Sequence, residues 1–330
     1  MAKITQRAAL KKKSSKPKLR APKRRAIARR NSPRAVSGNL EDLLISQIAL
    51  PKFEKQSSHL LPELLYNLTP STRSLGYNSG FRMGERLSEL HNASNSLHPL
   101  INALMCGGFS NVMYYPHKNS AIFEMVHHKE CKMDLNATLH IFESGLIAGY
   151  LSHSTGARMT VTETMCAHDA KGKCQFVAER TGAISEPAAF EGTAQIVGSI
   201  RSAIANGNEK SVSGSYFALA IAPLTRSPLK EELAKLLFVV GRELSPTLEL
   251  NQVSLERLAT IFSLREAGAT SNRKGVTSIN FALAPISSTS NYLDLVAALF
   301  SGVLSHKAAK TPHLTRGLSR DGSYRAELKI

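Results

Sequence analysis

The sequence predicts an α+β fold: a small antiparallel sheet flanked by helices, duplicated along the chain. Three observations predict it. The chain has 330 residues of which 42% are apolar, enough to fill two cores of ordinary size. Stretches with helical periodicity alternate with short runs in which apolar and polar residues take turns. Finally, two short phrases recur in the same order. Gly84-Glu-Arg-Leu-Ser88 matches Gly241-Arg-Glu-Leu-Ser245 at an offset of 157, and Gly149-Tyr-Leu-Ser-His153 matches Gly302-Val-Leu-Ser-His306 at an offset of 153.

The elements follow in order. Glu41–Ala49 is an amphipathic segment that Pro51 closes. Residues 59–68 and 77–91 carry helical patterns, and His98–Met105 continues helically until Gly107-Gly108 stop it. Residues 111–115 and 120–127 read as strands. Thr138–His153 is the longest helical pattern of the first half, apolar at Leu139, Phe142, Leu146, Ile147 and Tyr150. A hairpin follows: Arg158–Met165 and Lys173–Ala178 alternate, and Asp169-Ala-Lys-Gly172 has turn chemistry. Residues 180–228 are richer in Gly, Ser and Ala and read as one helix (190–205) and one strand (214–222). A helical region runs from Pro228 to Leu264, then a strand at 277–284, a helix at 290–305 and a closing pair of strands. The predicted organisation is a basic arm over 1–40, a first unit over 41–181, an inter-domain segment over 182–227 and a second, degenerate unit over 228–330. Two such units would pack as an intramolecular pseudo-dimer, with a homodimer as the alternative.

The formal charge is +17, from 42 Lys plus Arg against 25 Asp plus Glu. Fourteen of those cations precede the first acid, Glu41, so the remainder holds 28 cations against 25 acids, a net of +3. The protein is a nearly neutral body with a basic arm. The arm's dense cations are Lys11, Lys12, Lys13, Lys16, Lys18, Arg20, Lys23, Arg24, Arg25, Arg29, Arg30 and Arg34. Mutual repulsion, together with Pro17, Pro22 and Pro33, predicts disorder. Such an arm suits phosphates, which it would bind by releasing counterions without reading sequence; the partner is nucleic acid or another polyanion. A solubilising tail without a dedicated partner has the same composition. No apolar stretch follows the arm as in a secretory signal, and its Lys run and prolines disfavour a mitochondrial transit helix, so the expected location is cytoplasmic, associated with the nucleoid. No window reaches the ~18 uninterrupted apolar residues of a membrane span. With no Trp and 6% aromatics, a base-stacking platform is excluded as the main business of the fold.

The chain has four cysteines, Cys106, Cys131, Cys166 and Cys174, and without a secretory signal disulfides are not their default explanation. Cys166 ends one hairpin strand and Cys174 starts the next, with Glu163 three residues before Cys166. Cys131 follows His127-His128-Lys-Glu130 at the end of an earlier strand. Thiolates with one carboxylate or imidazole suffice for zinc. By spacing alone, buried packing explains these cysteines as well.

Within Phe142–Val177 stand Ile147-Ala-Gly149-Tyr-Leu, Val161-Thr-Glu163-Thr-Met-Cys166 and Gly172-Lys-Cys174-Gln-Phe176. On these phrases the stretch resembles the 4-vinyl reductase domain family, which shares its fold with the small subunits of the TRAPP vesicle-tethering complex. In phenol- and toluene-responsive activators that contain this domain, a Glu and three Cys hold a structural zinc beside the effector pocket. The resemblance therefore implies one structural Zn²⁺ at Cys131, Glu163, Cys166 and Cys174, with His127, His128 and His168 as reserve ligands. It implies no second zinc, because Arg316 or Ser319 stands where Glu or Cys would, and Tyr324 aligns with Cys174. The activators' ATP-binding phosphate loop is absent from the chain, as is the Trp of their effector contacts, so no ligand-contact residue carries over.

No catalytic pair emerges. Glu124 with His127 or His140 has no spacing that demands chemistry, and the neighbours Ser152-His153 and Ser305-His306 point in different directions on a helix. A nicotinamide or flavin fingerprint is likewise missing. The expected function is non-enzymatic: a zinc-stabilised sensory regulator of a small hydrophobic or aromatic ligand, with a nucleic-acid-binding arm. The alternative is a TRAPP-like dimerising scaffold whose basic tail tethers it to a polyanion.

Overall fold

Two helix pairs, each crossed at glycines, two four-stranded sheets and one two-stranded sheet form the frame of the fold among the described residues. The computed structural model describes residues 40–50, 55–58, 60–92, 96–127, 140–166, 173–180, 193–206, 211–248, 251–272, 275–283, 290–308, 312–318 and 324–329, all within the unit Gly38–Ile330. The chain enters through α1 (Leu40–Ile48), β1 (Lys55–Ser58) and α2 (Leu60–Tyr66) before the long α3 (Pro70–Leu90). Thr69 caps α3 in a reciprocal box: the Thr72 N–H donates to Thr69 Oγ1 at 3.1 Å and the Thr69 N–H to Thr72 Oγ1 at 2.9 Å. Pro70 opens the helix where its missing N–H costs nothing. Then come α4 (His98–Cys106), β2 (Phe109–Pro116), β3 (Ser120–His127), α5 (Ile141–Thr155), β4 (Met159–Met165) and β5 (Lys173–Arg180). The four strands form an antiparallel sheet of order β2-β3-β5-β4.

After α6 (Thr193–Asn206), β6 (Ser211–Ser213) and α7 (Gly214–Arg226), the arrangement repeats. The second half has α8 (Lys230–Leu244), a 3₁₀ turn (Ser245–Thr247), α9 (Gln252–Ile261), β7 (Leu264–Asn272), β8 (Gly275–Leu283), α10 (Ser290–Ala308), β9 (His313–Leu318) and β10 (Tyr324–Lys329). Its sheet has the equivalent antiparallel order, β7-β8-β10-β9.

The recurring phrases have a packing cause. α3 crosses α5 as α8 crosses α10. A Cβ on Gly84 would overlap the Leu146 carbonyl and one on Gly149 the Phe81 carbonyl; in the second half Gly241 meets the Leu299 carbonyl and Gly302 the Phe238 carbonyl. The contacted residues obey the same two offsets as the glycines. Each phrase marks the point at which two helix backbones touch, which only glycine permits.

Two readings of the sequence need correction. Residues 214–222 form a helix, not a strand. Its partly exposed positions Ala218 and Ala222 are themselves apolar, so the run shows no polar face, and length and caps decide the matter. Ser213 supplies the cap, accepting the Tyr216 N–H at 3.1 Å. The helical region predicted up to Leu264 ends earlier, at Ile261, and β7 follows; its Leu-Arg-Glu-Ala-Gly-Ala-Thr-Ser-Asn sequence is polar because it lies at a sheet edge. Within the segment read as inter-domain, α7 packs on α1, α2 and α3 and also on α8 and α10. The turn at 169–172 lies outside the described residues.

Candidate metal centre

The hairpin brings its three polar residues together through one irregularity. On β4, Met159, Val161 and Glu163 face inward, and strict alternation would turn Met165 inward next. A register shift between Glu163 and Met165 intervenes: Glu163 pairs with Phe176 and Met165 with Gln175. The extra residue reverses the parity, so the buried side chain is Cys166. The Glu-x2-Cys spacing is thus the signature of a bulge. Across the hairpin, Cys174 and Phe176 alternate inward on β5.

The fourth member comes from the start of α5. His140 sits immediately before the helix, fully buried, and its carbonyl accepts the Ser144 N–H at 2.9 Å. Its backbone N–H donates to Glu163 Oε2 at 3.0 Å, and its Nδ1 stands 2.7 Å from Glu163 Oε1. The same Nδ1 lies 3.8 Å from Cys166 Sγ and 3.7 Å from Cys174 Sγ. One donor atom from each of His140, Glu163, Cys166 and Cys174 falls within 4.8 Å of all the others. Four donors around one zinc, at about 2.0–2.3 Å, would stand roughly 3.3–3.8 Å apart. The two nitrogen–sulfur separations match that spacing already. The shorter nitrogen–oxygen separation is a hydrogen bond whose proton a metal would replace.

The electrostatics favour a deprotonated Cys174 and Glu163 around a protonated His140, whose proton a metal ion would displace. Burial pushes the Cys174 thiol up, but its hydrogen bond with Cys166 and the adjacent His140 charge outweigh this and bring it down to about 6. Burial also acts to raise Glu163, yet His140 holds it below the usual carboxylate range. His140 itself, which burial would discharge, is held well above its ordinary value by Glu163, Cys174, Glu63 and Cys166. Cys106 behaves differently: burial drives its thiol to about 12, and it donates to the Ile48 carbonyl at 3.5 Å as a packing residue.

The structure brings Glu163, Cys166 and Cys174 together as the sequence predicts. Cys131, His128 and His168 lie outside the described residues, as do the arm cations Lys11 to Arg34; His127 ends β3. The residue that sequence reasoning passed over is His140. Its only local signal is a polar ring at the head of an apolar helix, in Leu139-His-Ile-Phe142.

In the second half, Arg316 pairs with Ala326 as Glu163 pairs with Phe176. Arg316 reaches Asp294 of α10 at 2.5 Å, and Asp294 also accepts from Lys230 of α8 at 2.6 Å. A partly exposed ion network thus stands at the strand register that Glu163 holds in the first half.

Residues 124–180 match the family model of the 4-vinyl reductase domain. His140, Glu163, Cys166 and Cys174 all fall inside the matched stretch. A vinyl-4-reductase family protein from Methanocaldococcus jannaschii is 18% identical, over 32% of this chain and 68% of that one, with a TM-score of 0.29. The phenol-responsive sensory domain of the transcription activator PoxR with phenol is 14% identical, over 42% of this chain and 74% of that one, with a TM-score of 0.28. No curated protein matches the sequence. Among the described residues, no helix is long and apolar enough to cross a membrane.

Beside the matched stretch, a cleft of about 480 Å³ opens between α1, α3 and α7. Leu44, Leu75, Met83, Phe142, Leu219 and Ile221 line it, with Arg82 and Arg226 among the polar members.

Proposed function

We propose that the protein is a non-enzymatic sensory regulator whose 4-vinyl-reductase-like unit is pinned by one structural zinc ion, with the basic arm contacting nucleic acid. The observation that carries this reading is the buried cluster His140, Glu163, Cys166 and Cys174 inside the stretch that matches the domain family. Thiolates, imidazole and carboxylate are all donors that zinc accepts, and the two thiolates favour it over the harder Mg²⁺, Ca²⁺ and Mn²⁺. Four protein donors leave no position for water or substrate, so the ion would tie the hairpin to the head of α5 and activate nothing. Cys131 remains a proposed ligand from the sequence, and His140 is the donor the geometry favours for the fourth place. The cytoplasmic, nucleoid-associated location belongs to the same proposal, as does the division into units 41–181 and 228–330, the second a degenerate copy of the first.

The ligand class is a small hydrophobic or aromatic compound. Its proposed seat is the apolar cleft with Phe142 in its lining, two residues from His140. The scaffold reading, with a homodimer, is favoured by one observation, the exposed Leu40, Leu43 and Leu50 along and just after α1.

Metal analysis of the purified full chain tests the core of the proposal. Near-stoichiometric zinc is expected in wild type and in Cys131→Ser, with loss in His140→Ala and in Cys166→Ser/Cys174→Ser. Retention of zinc by the double mutant would refute the centre; its loss in Cys131→Ser and retention in His140→Ala would return the fourth place to Cys131. A thermal-shift screen with aromatics and lipids separates sensor from scaffold, since a bound ligand stabilises by mass action and a scaffold ignores it. Deleting residues 1–37 should abolish nucleic-acid retention and its salt dependence; an unchanged salt slope would remove the arm's role.

A further inference from the structure

We infer that Glu63 is a positioning residue for the metal centre, holding His140 by its second ring nitrogen so that the first faces the donor cluster. The inference rests on the metal reading and extends it outside the family-matched stretch, to α2. Glu63 is 2% exposed, and its Oε1 lies 3.4 Å from His140 Nε2. The opposite nitrogen, Nδ1, is the one that meets Glu163 and both sulfurs. Two aromatic neighbours fix the plane between them: Phe109 meets the imidazole edge-on at 5.2 Å and Phe176 lies tilted at 6.1 Å. The ring therefore has one nitrogen committed to each side.

Tautomer logic completes the argument. A neutral imidazole carries a single N–H. With Nδ1 as the ligand, that hydrogen must be on Nε2, and Glu63 is the acceptor facing it. A carboxylate in this place selects the ligating tautomer, orients the ring and raises the basicity of the ligating nitrogen; removing such a partner typically weakens metal binding about 10–100-fold. The cluster member that Glu63 faces is His140, so the effect proposed for it passes through that ring.

That dependence supplies the test. Zinc and cobalt affinities are measured on the full chain by competition with a chromophoric chelator, with the cobalt absorption spectrum as a second readout and circular dichroism as the check of folding. Four proteins are compared: wild type, Glu63→Gln, His140→Cys and the double variant. Glu63→Gln should lose about 10–100-fold in affinity and shift the cobalt spectrum. His140→Cys should still bind, because a thiolate is a ligand that needs no second hydrogen bond, and in that background Glu63→Gln should cost nothing further. Wild-type affinity in Glu63→Gln would overturn the inference, and so would an equal loss in both backgrounds, the mark of a merely structural glutamate. If wild type binds neither ion, the metal reading itself falls, and the inference with it. Should Glu63→Gln not fold, Glu63→Asp keeps the charge but draws it back by one methylene. It should weaken binding in the wild-type background only, and equal effects in both backgrounds would again refute the role.

Discussion

Alanine at Gly149 should destabilise the protein even though alanine is the better helix former. In an unconstrained helix the exchange favours alanine by about 1 kcal/mol. At Gly149 the new methyl would overlap the carbonyl group and Cα of Phe81 on α3, backbone atoms that no change of rotamer moves. Relief requires parting α3 from α5, which loosens buried neighbours such as Leu146 and Tyr150. Overpacking that side chains can absorb costs about 1–3 kcal/mol, and a backbone clash lies at or above the top of that range. After the propensity gain, a net loss of about 2–4 kcal/mol is expected. At roughly 2–4 °C per kcal/mol, the thermal midpoint falls by about 4–16 °C. Gly198, exposed on α6 with no heavy atom within 4 Å of a Cβ, supplies the opposite sign: alanine there should stabilise by up to about 1 kcal/mol. Calorimetry of the two variants beside wild type, with urea titration as the second measure, decides. A Gly149→Ala protein as stable as wild type would refute the close-crossing argument, and with it the packing explanation of the repeated phrases.

Three further outcomes are expected. Tyr216 donates to Glu143 Oε1 at 2.8 Å and both side chains are fully buried, so Tyr216→Phe should cost about 1–3 kcal/mol in urea denaturation; an unchanged midpoint would show that the carboxylate does not need the phenol. Chelation of a zinc present at a thousand times its dissociation constant should remove about 4 kcal/mol and lower the thermal midpoint on the order of 10 °C, whereas Cys166→Ser/Cys174→Ser should be indifferent to chelator. Two Arg86 hydrogen bonds at 2.7 Å hold the Asp42 carboxyl below its ordinary value and join α1 to α3. Because the folded value is the lower one, this contribution is present above about pH 4 and is lost as the pH falls further; Arg86→Met should flatten that part of the acid limb, and an unaltered limb would exclude the pair.

What the sequence disclosed depended on how far each signal had to reach. Glu163, Cys166 and Cys174 sit in one hairpin phrase, and the alternation that places them inward is written in the neighbouring residues Val161 and Phe176. His140 lies 23 positions from Glu163, across a helix, and the approach exists only once α5 has docked on the hairpin. Glu63 is more remote still, on a helix before the first sheet. Among the elements, α5 was legible from its apolar content, and the repeat from glycines whose spacing packing enforces. The segment at 214–222 was not legible, because Ala218 and Ala222 on its partly exposed face are apolar too and leave no polar stripe to mark the period. β7 escaped notice for the opposite reason, since a polar edge strand offers no apolar face to recognise.

The unlike fates of the two halves follow from burial. In each, a polar residue at one position of the edge strand joins that strand to the helix packed beneath it. In the second half the joint is Arg316 with Asp294, and the Arg316 side chain is 51% exposed, where water solvates both charges and the pair costs little to form. In the first half the joint is Glu163 with His140, at 2% and 0% exposure. There, taking a carboxylate, a thiolate and an imidazolium out of water costs several kcal/mol for each ion, and apolar residues of equal volume commonly serve stability as well or better. Stability alone gives such a cluster no reason to exist. A bound zinc ion would supply one, since such binding contributes about 10–16 kcal/mol in structural sites. By this reasoning, replacing His140 and Glu163 with apolar residues should abolish metal loading yet leave a protein at least as stable in urea denaturation as the chelator-treated wild type; a variant less stable than the metal-free wild type would refute the argument.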